Sequence, residues 1–237
     1  MRAAQDKTIA KPLSEGEAAC LKQANKEAGK ANKVEPRRNS SLCFLGVFIF
    51  LEVMMNIFIG CGSEIVDDKF YKNSISLVEK ISKIPGVNLV FGGYRHGMMG
   101  TCYDLFKNHN KKVTAVTLNV YKEQLNEMDC NESHLVETSM DRTREIYEKS
   151  DVILFLPGGV GTYAEIMACI EESRTKEDNK MIIIYNDEFF YTPLIKEMYW
   201  LYEKKFVSKS IGEYCRIESV EEEIVKIIEK ENEKWKN

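Results

Sequence analysis

The stretch Val152-Ile-Leu-Phe-Leu-Pro-Gly-Gly-Val-Gly-Thr-Tyr-Ala-Glu165 contains the pattern that decides the fold class. Its first five residues are all apolar, which predicts a buried strand over Val152–Leu156. A proline and two glycines then break the strand, and a helical pattern follows over 162–173. A buried strand that leads through glycines into a helix is typical of a parallel sheet with its ligand site at the carboxyl ends of the strands.

The same alternation of apolar strands and helices extends from residue 56 to the end of the chain. Further strands are predicted at Ile57–Cys61, Val87–Phe91, Val113–Leu118, Met181–Tyr185 and Cys215–Ile217. Further helices are predicted at 67–83, 98–109, 139–149, 191–206 and 220–234. Apolar strands separated by helices indicate one doubly wound, Rossmann-like α/β domain with helices on both faces of a parallel sheet. We assign residues 54–237 to this single domain and residues 1–53 to an extension.

The extension differs from the domain in composition. Residues 1–40 are polar, which favours disorder, and an apolar run over 42–51 follows two arginines. Basic residues before a short apolar run resemble the start of a signal peptide, but Glu52 interrupts the run and no small-residue cleavage site follows. A membrane span needs about 20 apolar residues. We therefore expect an extension that packs on the domain or precedes a functional start near Met54 or Met55, with a signal or membrane role as the alternative.

Charge and cysteine content exclude several classes of function. The extension has nine Lys or Arg and six Asp or Glu, so of the total net charge of −4 the domain carries −7. An acidic domain argues against nucleic acid binding, which depends on a basic face, whereas a small phosphorylated ligand needs only a helix N-terminus. The seven cysteines are widely spaced without a CxxC motif, and the three histidines form no ligand-like pair. We expect free thiols, a cytoplasmic location and no metal.

The glycine turn after Leu156 predicts a phosphate site. Gly158, Gly159 and Gly161 allow a ligand to approach the backbone, and N–H groups in the first turn of a helix can bind phosphate oxygens. Thr162 adds a hydroxyl donor, and Glu165 lies one turn further along the helix. The same residues match a capping box, Thr162-x-x-Glu165, in which Glu165 would only hold the helix end. Both interpretations stay open on the residues alone.

Two other segments contain candidate site residues. The turn Gly92-Gly-Tyr-Arg-His-Gly-Met-Met-Gly100 is rich in glycine but lacks the GxGxxG pattern of dinucleotide binding. Close packing of a helix explains its glycines equally well. In the predicted helix 139–149, Arg142 and Arg144 lie about 200° apart, so only one of them can face the site. Alternatively, both arginines lie on a solvent-exposed, charged face of this helix and have no role in a site.

Together these segments resemble the LOG (Lonely Guy) family, whose members are often labelled lysine decarboxylases. The resemblance covers residues 55–235 and rests on Cys61-Gly-Ser63, Gly92–Gly100, Arg142 and Pro157–Glu165, in that order. The family motif PGGxGTxxE is matched at every fixed position. In the motif GGGxxGLMG, Tyr94 replaces the third glycine and Met98 the leucine. Thr143 stands where the family has a lysine after its arginine.

The resemblance implies hydrolysis of the N-glycosidic bond of a nucleoside 5′-monophosphate to free base and ribose 5-phosphate. Catalytic roles are implied for Glu165, which would stabilise the ribosyl cation or position the water, and for Arg142. The implied substrate-binding residues are Gly158, Gly159, Gly161 and Thr162, with Ser63 and Gly93 nearby. Neither a cofactor nor a metal is implied, and family members are usually homodimers in which the second subunit completes the site.

Alternatives stay open for which base is released and for whether the chain is an enzyme. AMP is the expected substrate, CMP and GMP remain open, and Tyr94 and Thr143 are expected beside the base pocket. A nucleotide-sensing module or a molybdenum-cofactor carrier of the same fold would bind its ligand without turnover, but the retention of both Arg142 and Glu165 favours the enzyme. Lysine decarboxylation would require pyridoxal phosphate, and the missing fingerprint disfavours an NAD oxidoreductase.

Overall fold

The computed structural model describes residues 54–64, 69–176, 178 and 180–235. The extension, including its apolar run, lies outside the described residues, so its predicted character and its boundary stay predictions. Among the helices that are described, none is long and apolar enough to cross a membrane.

Within the described residues, seven parallel strands form one sheet. They are β1 Met55–Gly60, β2 Val87–Phe91, β3 Val113–Leu118, β4 Glu132–Val136, β5 Val152–Phe155, β6 Met181–Tyr185 and β7 Arg216–Glu218. Their order across the sheet is β4-β3-β2-β1-β5-β6-β7. Ile57 of β1 pairs with Leu89 on one side and Val152 on the other. Strands β2 to β4 extend the sheet on one side of β1, and strands β5 to β7 extend it on the other side, so the strand order reverses between β1 and β5. Open α/β sheets bind ligands at such a topological switch point.

Eight α-helices connect these strands in the described part of the chain. They are α1 Lys69–Ser82, α2 Gly97–Asn108, α3 Lys122–Asn126, α4 Ser139–Lys149, α5 Val160–Lys176, α6 Thr192–Glu203, α7 Ile211–Tyr214 and α8 Glu221–Glu233. Short 3₁₀ turns occupy Asn119–Tyr121 and Asp187–Phe189.

Two apolar layers cover the two faces of the sheet. Along β1, Ile57 and Ile59 enter the layer formed with α1, α2 and α8, whereas Phe58 enters the layer formed with α4, α5 and α6. Side chains of a strand alternate between faces, so a strand that is apolar at every position buries both of its faces. The predicted doubly wound α/β fold is therefore confirmed.

One strand was missed by the sequence analysis, and most boundaries differ by a few residues. The interval between β3 and α4 holds α3 and the edge strand β4, whose residues are exposed or half-buried. β7 lies one residue later than predicted. The helix α5 begins at Val160 instead of 162, which changes the interpretation of the site.

Candidate functional site

A buried ion pair between α4 and α5 lies at the centre of the candidate site. Arg142 Nη1 donates to Glu165 Oε1 at 2.7 Å, and the two side chains are 16% and 10% exposed. Arg142 Nε donates to the carbonyl oxygen of Val116 in β3 at 3.1 Å. The two contacts hold the guanidinium between the end of β3 and the first turns of α5. The two predicted catalytic residues are thus in direct contact.

The neighbouring arginine of α4 has different surroundings. The Arg144 side chain is 55% exposed, and its Nε lies 3.7 Å from Glu172 Oε1 on the outer part of α5. Arg142, two residues earlier, instead contacts Val116 of β3 and Glu165 of α5. Only one of the two arginines faces Glu165, as the helical spacing predicts.

Gly92, at the end of β2, provides the space for the Arg142 guanidinium. A Cβ atom at Gly92 would lie 2.2 Å from Arg142 Nη2 and 2.9 Å from Met99 Sδ. Any side chain there would displace the arginine. The adjacent Gly93 was predicted as the site residue instead, because nothing in the sequence shows which glycine the arginine contacts.

Gly93 and Ser63 have packing roles of their own. Gly93 has a φ of +71°, and a Cβ atom there would lie 2.8 Å from Thr117 Cβ, so this glycine is buried against β3. Ser63 is exposed and follows β1. Its carbonyl group packs against Gly97, where a Cβ atom would come within 2.5 Å of it. The loop after β1 and the start of α2 therefore support each other next to the site.

The start of α5 excludes the capping-box interpretation. Because the helix begins at Val160, Thr162 lies inside its first turn, and the Glu165 carboxylate turns to Arg142. A Cβ atom at Gly158 would lie 2.2 Å from Thr162 Oγ1 and 3.1 Å from the Gly62 nitrogen. The glycine turn after β5 thus folds tightly onto the first helical turn and onto the loop after β1. Thr162 itself is buried.

The outer side of the same turn is open. Gly159 and Gly161 are exposed, and a Cβ atom built on either of them meets nothing within 4 Å. Backbone N–H groups in the first turn of a helix have no intrahelical acceptor, and they attract negative charge. The chain therefore presents an accessible, anion-attracting backbone next to the carboxylate of Glu165.

Two further groups lie near Glu165 but were not among the predicted catalytic or substrate-binding residues. Tyr191 is fully buried, and its hydroxyl donates a hydrogen bond to the carbonyl oxygen of Leu156 at 2.7 Å. Since Leu156 directly precedes the glycine turn, this bond stabilises the start of the turn. The buried Cys61 thiol lies close enough for its pKa to be raised by Cys102, by burial and by Glu165. A raised thiol pKa keeps this cysteine protonated and unreactive.

Glu165 is a carboxylate with a perturbed pKa. Burial raises the pKa of Glu165, while the charge of Arg142 and its hydrogen bond oppose that rise. A buried carboxyl group with a shifted pKa and one fixed charge partner, next to an open backbone, is typical of a functional site.

Five cysteines in the described part of the chain are free thiols: Cys61, Cys102, Cys130, Cys169 and Cys215. The described residues contain no cluster of three or more His, Cys, Asp or Glu side chains that could hold a metal ion.

A family model described as "Possible lysine decarboxylase" matches residues 99–228, more than half of the chain. The chain belongs to this family, the LOG family. The matched segment includes both members of the buried pair and the whole glycine turn. Gly92 and Tyr94 precede it.

The curated relatives of this chain are distant in sequence. A probable cytokinin riboside 5′-monophosphate phosphoribohydrolase from Oryza sativa subsp. japonica is 24% identical over 170 residues, which span 71% of this chain and 70% of that protein. A cytokinin riboside 5′-monophosphate phosphoribohydrolase from Rhodococcoides fascians is 30% identical over 111 residues, 46% of this chain and 56% of that protein. The molybdenum cofactor carrier protein of Chlamydomonas reinhardtii is similar in fold, with a TM-score of 0.55 at 11% identity over 75% of this chain and 98% of that chain.

Proposed function

We propose that this LOG-family chain hydrolyses the N-glycosidic bond of a nucleoside 5′-monophosphate and releases the free base and ribose 5-phosphate. The observation that supports this most strongly is the buried Arg142–Glu165 pair, 2.7 Å apart, directly beside the open glycine turn. Names of relatives at 24–30% identity point to the same reaction class. AMP is the first substrate to test.

Each half of the site suits one part of such a substrate. The N–H groups at the start of α5, with Gly159 and Gly161 open to solvent, suit the 5′-phosphate. Glu165, one turn further along, then lies near the ribose. Because its backbone is already in place, the helix start can bind the phosphate without reorganising.

The proposed reaction uses Glu165 where positive charge develops. The bond between C1′ and the base nitrogen breaks, and its electron pair leaves with the base, so C1′ becomes cationic. The carboxylate of Glu165 stabilises this cation or positions the water that adds to C1′, and the proton lost by that water balances the proton gained by the base. Arg142 keeps the carboxylate in place and ionised, and favours departure of the base.

The proposal is tested by incubating the full chain with AMP, GMP, CMP, UMP and their deoxy forms and separating the products by chromatography. We expect free base and ribose 5-phosphate in equal amounts from at least one ribonucleotide. Bound nucleotide without any free base would instead favour a sensor or a carrier. The similarity to the molybdenum cofactor carrier concerns the fold alone.

The raised pKa of Glu165 predicts how the reaction depends on pH. An ordinary glutamate titrates near pH 4.3, about the value in model peptides, and burial shifts Glu165 upward. Because the carboxylate form acts, kcat/KM, which reports the pKa values of the free protein, falls as the pH drops through this raised pKa. We therefore expect the acid limb of the kcat/KM profile above the ordinary glutamate range.

The pH profile of Arg144→Ala serves as the control, because that side chain is exposed and does not contact Glu165. Its acid limb should coincide with that of the unaltered protein. An acid limb at or below pH 4.3, about the ordinary glutamate value, would contradict the assigned environment of Glu165.

We also propose that two copies of the chain associate through the outer face of α5. Val160, Ala164 and Met167 follow one another at helical spacing, and Val160 and Met167 are 89% and 41% exposed. This apolar stripe begins within the glycine turn, so a second copy that covers it would also border the phosphate site. A single exposed apolar residue is ordinary on a protein surface, whereas an aligned row suits an interface.

Sedimentation or light scattering tests this association. We expect a dimer for the full chain and a monomer for Met167→Glu, since a buried unpaired carboxylate destabilises an interface. Trp200→Glu, on α6, is a matched control at 47% exposure and should remain a dimer. A monomeric full chain would contradict the proposal.

A further inference from the structure

The hydroxyl of the buried Tyr191 contacts the backbone on both sides of Pro157. It donates a hydrogen bond to the carbonyl oxygen of Leu156 at 2.7 Å. Burial raises the pKa of Tyr191, and a hydrogen bond between its hydroxyl and the backbone of Gly158 opposes that rise. One phenol group therefore joins the residue before Pro157 to the residue after it, where the chain bends from β5 into α5.

Buried groups after β6 hold Tyr191 in place. Asn186, which is 1% exposed, accepts a hydrogen bond from the backbone N–H of Tyr191 at 2.8 Å through its Oδ1. Its Nδ2 donates to Thr192 Oγ1 at 3.3 Å. The backbone N–H of Asn186 donates to the carbonyl oxygen of Glu218 in β7 at 2.7 Å. Tyr191 is thus attached to the β6–β7 side of the sheet by bonds that do not involve the glycine turn.

The backbone between Asn186 and Tyr191 has an uncommon conformation. Glu188 has a φ of +44° and Phe189 a φ of +65°, in the left-handed region that residues with side chains rarely adopt. Such a conformation persists only when its surroundings determine it. One of the surrounding contacts comes from α1, where Asn73 Nδ2 donates to both carboxylate oxygens of Asp187 at 3.0 Å. The connection therefore delivers Tyr191 to one defined position.

The ring of Tyr191 has contacts that are separate from those of its hydroxyl. The ring centroid lies 5.3 Å from that of Tyr163 and 4.9 Å from that of Phe190. Tyr163 belongs to the first turn of α5, and its backbone N–H donates to the carbonyl oxygen of Gly159. A phenylalanine at position 191 would keep the ring packing and lose only the two hydrogen bonds to the glycine turn.

We propose that Tyr191 is a positioning residue whose hydroxyl holds the glycine turn in the geometry that binds the 5′-phosphate at the start of α5. The inference rests on the function proposed above and adds the group that preorganises its phosphate site. Tyr191 is fully buried, so it acts through the backbone of Leu156 and Gly158 and not by touching the substrate. A turn without this hydroxyl must be ordered when the ligand binds, which weakens binding.

The buried ion pair does not depend on this hydroxyl. Arg142 is held by the carbonyl oxygen of Val116 in β3 and by Glu165. Loss of the Tyr191 hydroxyl should therefore change phosphate binding and leave the reacting groups in place. Since the phosphate is bound equally in the ground state and in the transition state, such a loss raises KM and leaves kcat unchanged.

Tyr191→Phe in the full chain tests the inference by two measurements. Base release from AMP gives kcat and KM, and calorimetry with ribose 5-phosphate gives a Kd without turnover. We expect KM and Kd each to rise about tenfold, the order of magnitude for the loss of two hydrogen bonds. We expect kcat to stay within about twofold of the unaltered chain. Circular dichroism and thermal unfolding check the fold of the variant.

Tyr147→Phe is the matched control. Tyr147 is also fully buried, but it lies on α4 and its hydroxyl donates to Asp178. Both variants lose a buried hydroxyl, so both should unfold at a lower temperature, whereas only Tyr191→Phe should lose affinity for ribose 5-phosphate. A purely structural role of Tyr191 would reduce the folded fraction, which lowers the apparent kcat and leaves KM unchanged.

That kinetic result would overturn the inference, and so would an unchanged Kd for ribose 5-phosphate in Tyr191→Phe. A Tyr191→Phe chain that does not fold would overturn it as well, because the hydroxyl would then be needed by the whole core.

The positioning role and the proposed reaction can fail separately. If the unaltered chain releases no base but binds ribose 5-phosphate, and Tyr191→Phe weakens that binding, the reaction is wrong and the positioning role stands. If both chains release base with the same KM, the reaction stands and the positioning role is wrong. An unaltered chain that does not bind ribose 5-phosphate would contradict the phosphate site and, with it, the role of Tyr191.

Discussion

Glu165→Gln is expected to release no measurable base from any nucleoside monophosphate while still binding the nucleotide. Glutamine keeps the size of the side chain but cannot stabilise a cationic C1′ or attract the proton of a water. Removal of a positioned acid–base group costs about 10²–10⁴-fold in rate. Binding should persist because the glycine turn and the start of α5 are unaltered. The measurements are base release by chromatography and AMP affinity by calorimetry.

Glu172→Gln is the matched control for this prediction. Glu172 lies two turns further along α5, where its partners are Arg144 and Lys176. The same chemical change there should leave kcat within about twofold, as surface ion pairs contribute little. Full activity of Glu165→Gln would remove this carboxylate from the mechanism.

Arg142→Ala is expected to lose most of the activity, whereas Arg144→Ala is expected to keep it. Without Arg142 the buried carboxylate of Glu165 has lost the charge that opposes its protonation, so its pKa rises further. The carboxylate also loses its 2.7 Å anchor. Since misplacement of a catalytic group by about 1 Å can cost 10²-fold, a loss of at least that size is expected in kcat/KM. Equal effects of the two substitutions would contradict the assigned helix face.

Gly92→Ala tests whether activity depends on the position of the Arg142 guanidinium, because the substitution moves the guanidinium but keeps its charge. The added methyl group would lie 2.2 Å from Nη2, so the guanidinium must move although the residue is retained. We expect a loss of activity similar to that of Arg142→Ala, with the fold checked by circular dichroism. Gly159→Ala is the control for the added methyl group, as that Cβ meets nothing within 4 Å. Because Gly159 borders the proposed phosphate site, its readout is the retained fold.

The fold class followed from the sequence because the central strands are predominantly apolar on both faces. Such strands can only be buried on both faces, and the helices between them have one apolar side. The edge strand β4 escaped prediction for the opposite reason. Its sequence, Glu132-Ser-His-Leu-Val136, buries neither face, and it is held by backbone pairing with β3. Backbone pairing is not visible in side-chain patterns.

The residues of the site were recognisable in the sequence, but their contacts were not. Spacing within one helix predicts that Arg142 and Arg144 point in different directions, because the helical repeat determines that angle. Which of them meets Glu165 depends on how α4 packs beside α5. Gly92 and Val116, which hold the guanidinium, lie 50 and 26 residues before Arg142. Contacts over such separations arise only when the strands assemble in the order β3-β2-β1-β5.

The sequence by itself determined the layered α/β architecture, the glycine turn and which residues belong to the candidate site. Hydrophobic periodicity and glycine content are local properties, so they can be read from the sequence. Tertiary structure decided that Thr162 lies inside a helix, that Glu165 binds an arginine instead of capping, and that Gly92 accommodates that arginine. It also placed Tyr94 beside Tyr121. These outcomes depend on distances between elements far apart in the chain, which packing of the whole core sets.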